Sequence, residues 1–120
     1  MHPPHSAGKV MGVARRQDGD GMVLAVSGDL DLESIAPLTA ALTEAGEAVP
    51  GAVVVDLSGV SFADSSTVNI LLQAHGVLGA RLRLARPSAF VQRLFGVIGL
   101  ERALPVYDTV EEALAVRRAS

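Results

Sequence analysis

Ala52-Val-Val-Val-Asp-Leu-Ser-Gly-Val-Ser-Phe-Ala-Asp-Ser-Ser-Thr-Val-Asn-Ile-Leu-Leu-Gln73 is the stretch that decides the fold. It opens on an apolar run, Ala52 to Val55, with no turn residue inside. Such a run fits a strand buried on both faces, as in sheets covered by helices. Asp56 ends the run, Ser58-Gly59 has turn chemistry, and Val60 and Phe62 turn back toward the core. Asp64-Ser65-Ser66 are three N-cap residue types in succession. Val68, Leu71, Leu72 and His75 then fall at i, i+3, i+4 and i+7, one face of a helix. The expectation is a buried strand, a short loop, and a helix whose start carries a serine hydroxyl beside a carboxylate.

Upstream, residues 1 to 8 hold two prolines and no apolar periodicity, so they read as a flexible tail. His2 and His5 in that tail are not taken as metal ligands. Lys9 to Ala14 is a weak strand pattern and Met22 to Val26 a better one, joined by the turn signal Gln17-Asp-Gly-Asp-Gly21. Together they predict an antiparallel hairpin. The Asp-Gly cluster lacks the spacing and final Glu of an EF-hand loop. Gly28-Asp-Leu-Asp31 is the exit from the second strand. Ser34 reads as an N-cap, with Pro37 in the first helical turn, and Ile35, Leu38, Leu42 and Ala45 on one face. Gly46 falls near the end of that helix, and Pro50-Gly51 closes the segment. The acids Asp29, Asp31 and Glu33 suit a helix N-terminus; a partner-binding role is the sharper alternative.

Downstream, Gly76 and Gly79 end the central helix. Ala80-Arg-Leu-Arg-Leu84 alternates, which predicts a strand with Arg81 and Arg83 on one solvated face. Pro87-Ser88 starts a helix with Phe90, Leu94 and Val97 on one stripe, widened by Val91, Phe95 and Ile98, and Gly99 as C-cap. Leu104 to Tyr107 is a short strand. Thr109-Val-Glu-Glu112 is a capping box for a last helix with Val110, Ala113 and Leu114 inward and Arg117 and Arg118 at its end. The order is β-β-α-β-α-β-α-β-α. That is an α/β fold: one domain with a mixed, mostly parallel sheet and four helices.

Composition narrows the function classes. With 120 residues, 49% of them hydrophobic, the chain can bury a real core. There is no Cys, hence no disulfide or thiolate metal site. A net charge of -3 argues against nucleic-acid binding. No apolar run nears the roughly 20 residues that span a bilayer. The start, Met1-His-Pro-Pro-His5, lacks the marks of a signal peptide. A soluble, cytoplasmic protein is expected, without membrane partner or cofactor.

Enzyme motifs are missing as well. There is no phosphate-cradling glycine motif and no G-x-S-x-G elbow. His75 lies ten residues beyond Ser65 on the same expected helix, roughly 15 Å away, too far to take its proton. Ser65 itself has two readings. As a capping serine it contributes about 1 kcal/mol to its helix. As a phosphorylation acceptor it sits where free N–H groups and the helix dipole tolerate added negative charge. The residues taken alone favour the cap.

Three blocks of the chain resemble one family. Gly28-Asp-Leu-Asp31 is similar to the G-[ED]-L-D of STAS domains in bacterial anti-sigma factor antagonists. Val55-Asp-Leu-Ser-Gly-Val-Ser-Phe-Ala-Asp-Ser-Ser66 is similar to their D-L-x-x-V-x-F-x-D-S-[ST] hallmark. Arg93-Leu-Phe95, Gly99-Leu100 and Glu111-Glu-Ala-Leu114 match their closing pattern, so the resemblance covers about Met22 to Leu114. It implies a STAS domain over residues 9–120 and a binding protein, not an enzyme. Unphosphorylated, such a protein binds an anti-sigma factor that is also a serine kinase with a histidine-kinase-like ATPase fold, and so frees the sigma factor. Phosphorylation on the serine after the aspartate, here Ser65, breaks the complex, and a PP2C-type phosphatase restores it. The docking surface implied comprises Asp29 and Asp31, the loop from Ser58 to Asp64 with Gly59 and Ser61, and Ser65, Ser66, Thr67 and Asn69 at the helix start. Many members have glycine where this chain has Thr67, which adds a third hydroxyl. The acceptor order is therefore Ser65, then Ser66, then Thr67. Two other readings compete with the switch: a scaffold or dimerisation module that is never phosphorylated, and a small enzyme using Ser65 or Asp64.

Overall fold

The computed structural model describes residues 10–115. In chain order the strands are β1 (Gly12–Asp18), β2 (Gly21–Leu30), β3 (Val53–Ala63), β4 (Leu82–Ala85) and β5 (Val106–Tyr107). The helices are α1 (Ala36–Ala48), α2 (Ser65–Leu78), α3 (Ala89–Ile98) and α4 (Val110–Ala115). The sheet runs β1-β2-β3-β4-β5, with β1 antiparallel to β2 and every other pair parallel. Element order and sheet type are those expected from the sequence.

Alternation along β3 divides its side chains between two layers. Val53 and Val55 join Leu24 and Val26 under α1, α2 and α3, which contribute Leu38, Leu42, Leu71 and Phe95. Val54 points the other way, with Val23 and Ala85, against Val110 and Ala113 of α4. The last helix carries the predicted capping box: Thr109 Oγ1 accepts from Glu112 N at 3.0 Å and Glu112 Oε1 from Thr109 N at 3.2 Å. Ser88 caps α3 by accepting from Val91 N, and Gly99 ends it in the left-handed region at φ +70°. The expected tail at residues 1–8, together with Lys9, Arg117 and Arg118, lies outside the described residues.

The strands run further than the turn signals suggest. The hairpin loop is only Gly19-Asp20, so β1 spans Gly12–Asp18 instead of Lys9 to Ala14. Its outer half is exposed at the sheet edge and carries no apolar signal. Gly28-Asp29-Leu30 is not an exit but the end of β2. Ser58-Gly59 is not a turn either. Here β3 carries an extra residue against β2, and another between Val60 and Phe62. These are β-bulges, which bend a strand without ending it. A Cβ on Gly59 would stand 3.0 Å from Ser27 Cβ and 3.1 Å from Val26 O, so a side chain there would crowd β2 at the bulge. The parallel ladder with β2 thus persists to Ala63, leaving only Asp64 between β3 and α2.

Several helical and strand faces shift as well. Ser34 does not cap α1: its N-cap is Ile35, and the Ser34 hydroxyl is drawn into the turn before it. Pro37 does sit in the first turn. As expected, the helix ends close to Gly46, at Ala48, just before Pro50-Gly51. In α2 the buried positions are Thr67 and Leu71, while Leu72 is exposed, so the inward face is turned from the expected one; Gly76 lies inside the helix, which ends at Gly79. Val97 and Ile98 of α3 are exposed. Strand β5 is shorter than Leu104 to Tyr107. Arg81 and Arg83 do not share a solvated face. Arg81 precedes β4 and donates to Gly46 O, Val49 O and Gly51 O at the end of α1. Arg83 is 3% exposed and donates to Ala113 O at 2.7 Å. Strand β4 lies between β3 and β5 and is covered on both faces, so alternation there does not mark solvent.

Candidate functional site

The start of α2 is built by one residue. Asp64 is the N-cap in an extended conformation, and its Oδ1 accepts from Ser66 N at 2.9 Å. Thr67 N donates to Asp64 O at 3.1 Å. The cap is thereby Asp64 and not Ser65, which becomes the first helical residue. The same turn is tied to β2, because Leu30 O accepts from Asp64 N at 3.2 Å. That bond continues the β2–β3 ladder by one step and brings the Asp29–Asp31 segment beside the helix start.

The three hydroxyls stand in different surroundings. Ser65 is exposed, and among the described residues its hydroxyl makes no hydrogen bond. Ser66 is half-buried, and its hydroxyl donates to Asp64 Oδ1. Thr67 is 2% exposed and directs its Oγ1 to Leu30 O at 3.5 Å. Thr67 therefore belongs to the core side of α2, and its burial weighs against it as an acceptor. Asn69, by contrast, is exposed on the helix.

The acidic segment divides similarly. Asp31 Oδ1 accepts from Glu33 N at 3.1 Å and Ser34 N at 3.0 Å, and the Ser34 hydroxyl bonds Asp29 O at 3.0 Å. This holds the turn after β2 in one shape, with Leu32 exposed at its tip. Leu32 escaped the sequence reading, since a lone leucine between acids has no periodic signal. Asp29 is only 8% exposed, and its Oδ2 is buried without a hydrogen-bond partner. In the free domain it is thus mostly covered, not a surface acid. Gly28, just before it, adopts φ +86°, and a Cβ there would stand 2.3 Å from Val10 O. Ser58, Gly59 and Ser61 are exposed along β3, not in a loop. Gly59 lies roughly 15 Å along the chain from Asp64.

The site offers an exposed hydroxyl, a capping carboxylate and an acidic turn. His75 lies in the last turn of α2. Among the described residues no three His, Cys, Asp or Glu side chains gather in a way that could hold a metal ion. Nor is any described helix long and apolar enough to cross a membrane.

Comparison with known proteins fits this geometry. A family profile described as "Mlab, STAS domain" matches residues 13–111. The anti-sigma-F factor antagonist RsfB of Mycobacterium tuberculosis is 32% identical over 95 residues, 77% of each chain. An anti-sigma factor antagonist from Mycobacterium paratuberculosis superposes with a TM-score of 0.80 at 26% identity, over 95% of this chain and 96% of its own. The unphosphorylated form of the anti-sigma factor antagonist SpoIIAA has the same fold, with a TM-score of 0.69 at 24% identity over 85% and 92% of the two chains. The chain belongs to the STAS-domain anti-sigma factor antagonist family.

Proposed function

We propose that this protein is a phosphoregulated anti-sigma factor antagonist of the cytoplasm, and a regulator rather than an enzyme. Its unphosphorylated form binds an anti-sigma factor that is also a serine kinase of the histidine-kinase-like ATPase fold, and releases the sigma factor. The kinase then phosphorylates Ser65, the complex separates, and a PP2C-type phosphatase resets the switch. The observation that carries this reading is that Ser65 alone of the three hydroxyls is both exposed and without a hydrogen bond among the described residues, next to the capping Asp64.

The energetics are adequate. A phosphate adds about -1.5 to -2 charges at neutral pH. At the first position of α2 the helix end tolerates that charge, so the fold survives. A partner surface packed over Ser65, with Asp64 and Asp31 close by, meets both like-charge repulsion and the cost of burying the phosphate. A hundredfold loss of affinity requires about 2.7 kcal/mol, within reach of one buried phosphate.

The test is mass spectrometry of the protein after incubation with Mg-ATP and its anti-sigma kinase. Phosphate on Ser65 is expected, with partner binding lost in parallel. Phosphate on Ser66 corrects the acceptor and keeps the mechanism. Partner binding without any phosphorylation replaces the switch by the scaffold reading. In the same assay Ser65→Ala binds constitutively and Ser65→Asp binds weakly; equal affinity of both variants and the wild type removes the switch.

A further inference from the structure

Asp64 uses one carboxylate oxygen for two donors from a single residue. Its Oδ1 accepts from the Ser66 backbone N–H at 2.9 Å and also from the Ser66 hydroxyl. A helix cap needs only the first of these. The other oxygen, Oδ2, receives no donor from the described residues, and it is not among their buried orphan atoms. It is therefore not sealed from solvent, and the next residue, Ser65, is exposed. The hydroxyl of Ser66 thus adds something that capping does not require: a second anchor that narrows the swing of the carboxylate and fixes where its other oxygen points.

We propose that Ser66 is a positioning residue for phosphoryl transfer to Ser65, an inference that rests on Ser65 being the acceptor. The Ser66 hydroxyl locks the Asp64 carboxylate, and Oδ2 accepts the hydrogen bond of the Ser65 hydroxyl in the transfer complex. Transfer forms the bond from Ser65 Oγ to the γ-phosphorus of ATP and breaks the bond from that phosphorus to the β–γ bridging oxygen. ADP leaves, and the Ser65 proton passes to a general base of the kinase. Carboxylate torsions are broad and nearly two-fold when nothing holds them. Without the Ser66 hydroxyl the carboxylate is held by the Ser66 N–H alone and swings more widely, and a smaller share of complexes has the acceptor aligned for in-line attack. The same bond explains why Ser66, two residues from Asp64, is not itself the acceptor. Its proton is already donated and its side chain is half-buried.

The experiment compares the full-length wild type with Ser66→Ala and Ser66→Thr as substrates of the anti-sigma kinase with Mg-ATP. Initial rates are measured against substrate concentration, with the phosphate mapped by mass spectrometry and unfolding midpoints recorded. For Ser66→Ala, kcat should fall roughly tenfold. Any rise in its KM, from the place of Ser66 in the docking surface, should be smaller than the fall in kcat. Phosphate should still map to Ser65. Ser66→Thr, which keeps the hydroxyl, should restore kcat. A Ser66→Ala rate equal to wild type, a change in KM alone, or a threonine variant as slow as the alanine one overturns the positioning role and leaves Ser65 as acceptor. Wild-type phosphate on Ser66, or none at all, overturns both the positioning role and the acceptor assignment.

Discussion

The rings of Phe62 and Phe90 lie 5.3 Å apart, centroid to centroid, with their planes tilted by 46°. Phe62 sits near the end of the bulged strand β3, two residues before the capping Asp64, and Phe90 lies in the first turn of α3. The pair fastens the strand that delivers the acceptor to a helix on the same side of the sheet. An aromatic pair contributes about 1 kcal/mol beyond its buried area. Phe62→Leu and Phe90→Leu should each lower stability by about that amount or somewhat more, and the double variant should lose less than the sum. Urea unfolding measures both. Hydrogen exchange of the Asp64–Thr67 amides should quicken in each variant, since the helix start loses its brace.

The cap belongs to Asp64, so the two neighbours respond differently to truncation. Asp64→Ala should cost about 1 kcal/mol, because Ser66 N loses its acceptor. Ser65→Ala should change stability by less than about 0.5 kcal/mol, as expected of an exposed side chain with no bond to lose. A capping serine at position 65 would instead lose about 1 kcal/mol on truncation. Comparing urea midpoints of the two variants decides between these assignments.

Negative charge should be tolerated at one hydroxyl and rejected at another two residues away. Ser65→Asp adds a carboxylate at an exposed helix start and should leave the fold within about 0.5 kcal/mol of wild type. Thr67→Asp places a carboxylate in a site that is 2% exposed, facing Leu30 O. An unpaired buried charge there should cost about 3 kcal/mol or more. Circular dichroism during thermal unfolding reads the difference directly. Equal midpoints would show that Thr67 can turn outward.

Arg81 closes the C-terminal end of α1 from across the molecule. Its Nε donates to Gly51 O at 2.9 Å and its Nη2 to Gly46 O and Val49 O. Hydrogen bonds from a charged donor contribute more than neutral ones, and a guanidinium forks where an ammonium cannot. Arg81→Ala should therefore cost about 2 kcal/mol, with Arg81→Lys recovering only part of it. Full recovery by lysine in urea unfolding would mean that charge at the helix end suffices and that the fork does not matter.

Much of the fold was legible because its signals are local. The apolar run at Ala52 to Val55, the helix start at Ser88, the Thr109–Glu112 box and the C-cap at Gly99 each act within a few residues, and each appears in the structure as read. The hallmark segment from Val55 to Ser66 pointed to the family by its residues alone. What those residues could not disclose depends on neighbours distant in sequence. Ser58-Gly59 looks like a turn, yet β2 runs alongside and turns it into a bulge. Arg83 alternates like a surface residue, but β4 is flanked by β3 and β5 and covered by α4, so its charge is buried against Ala113 O. Asp29 is an acid in a motif until packing hides its carboxylate. The distinction among Ser65, Ser66 and Thr67 has the same origin. Their side chains are chemically alike, and it is the packing of α2 on the sheet that exposes the first, leaves the second half-covered against Asp64 and buries the third.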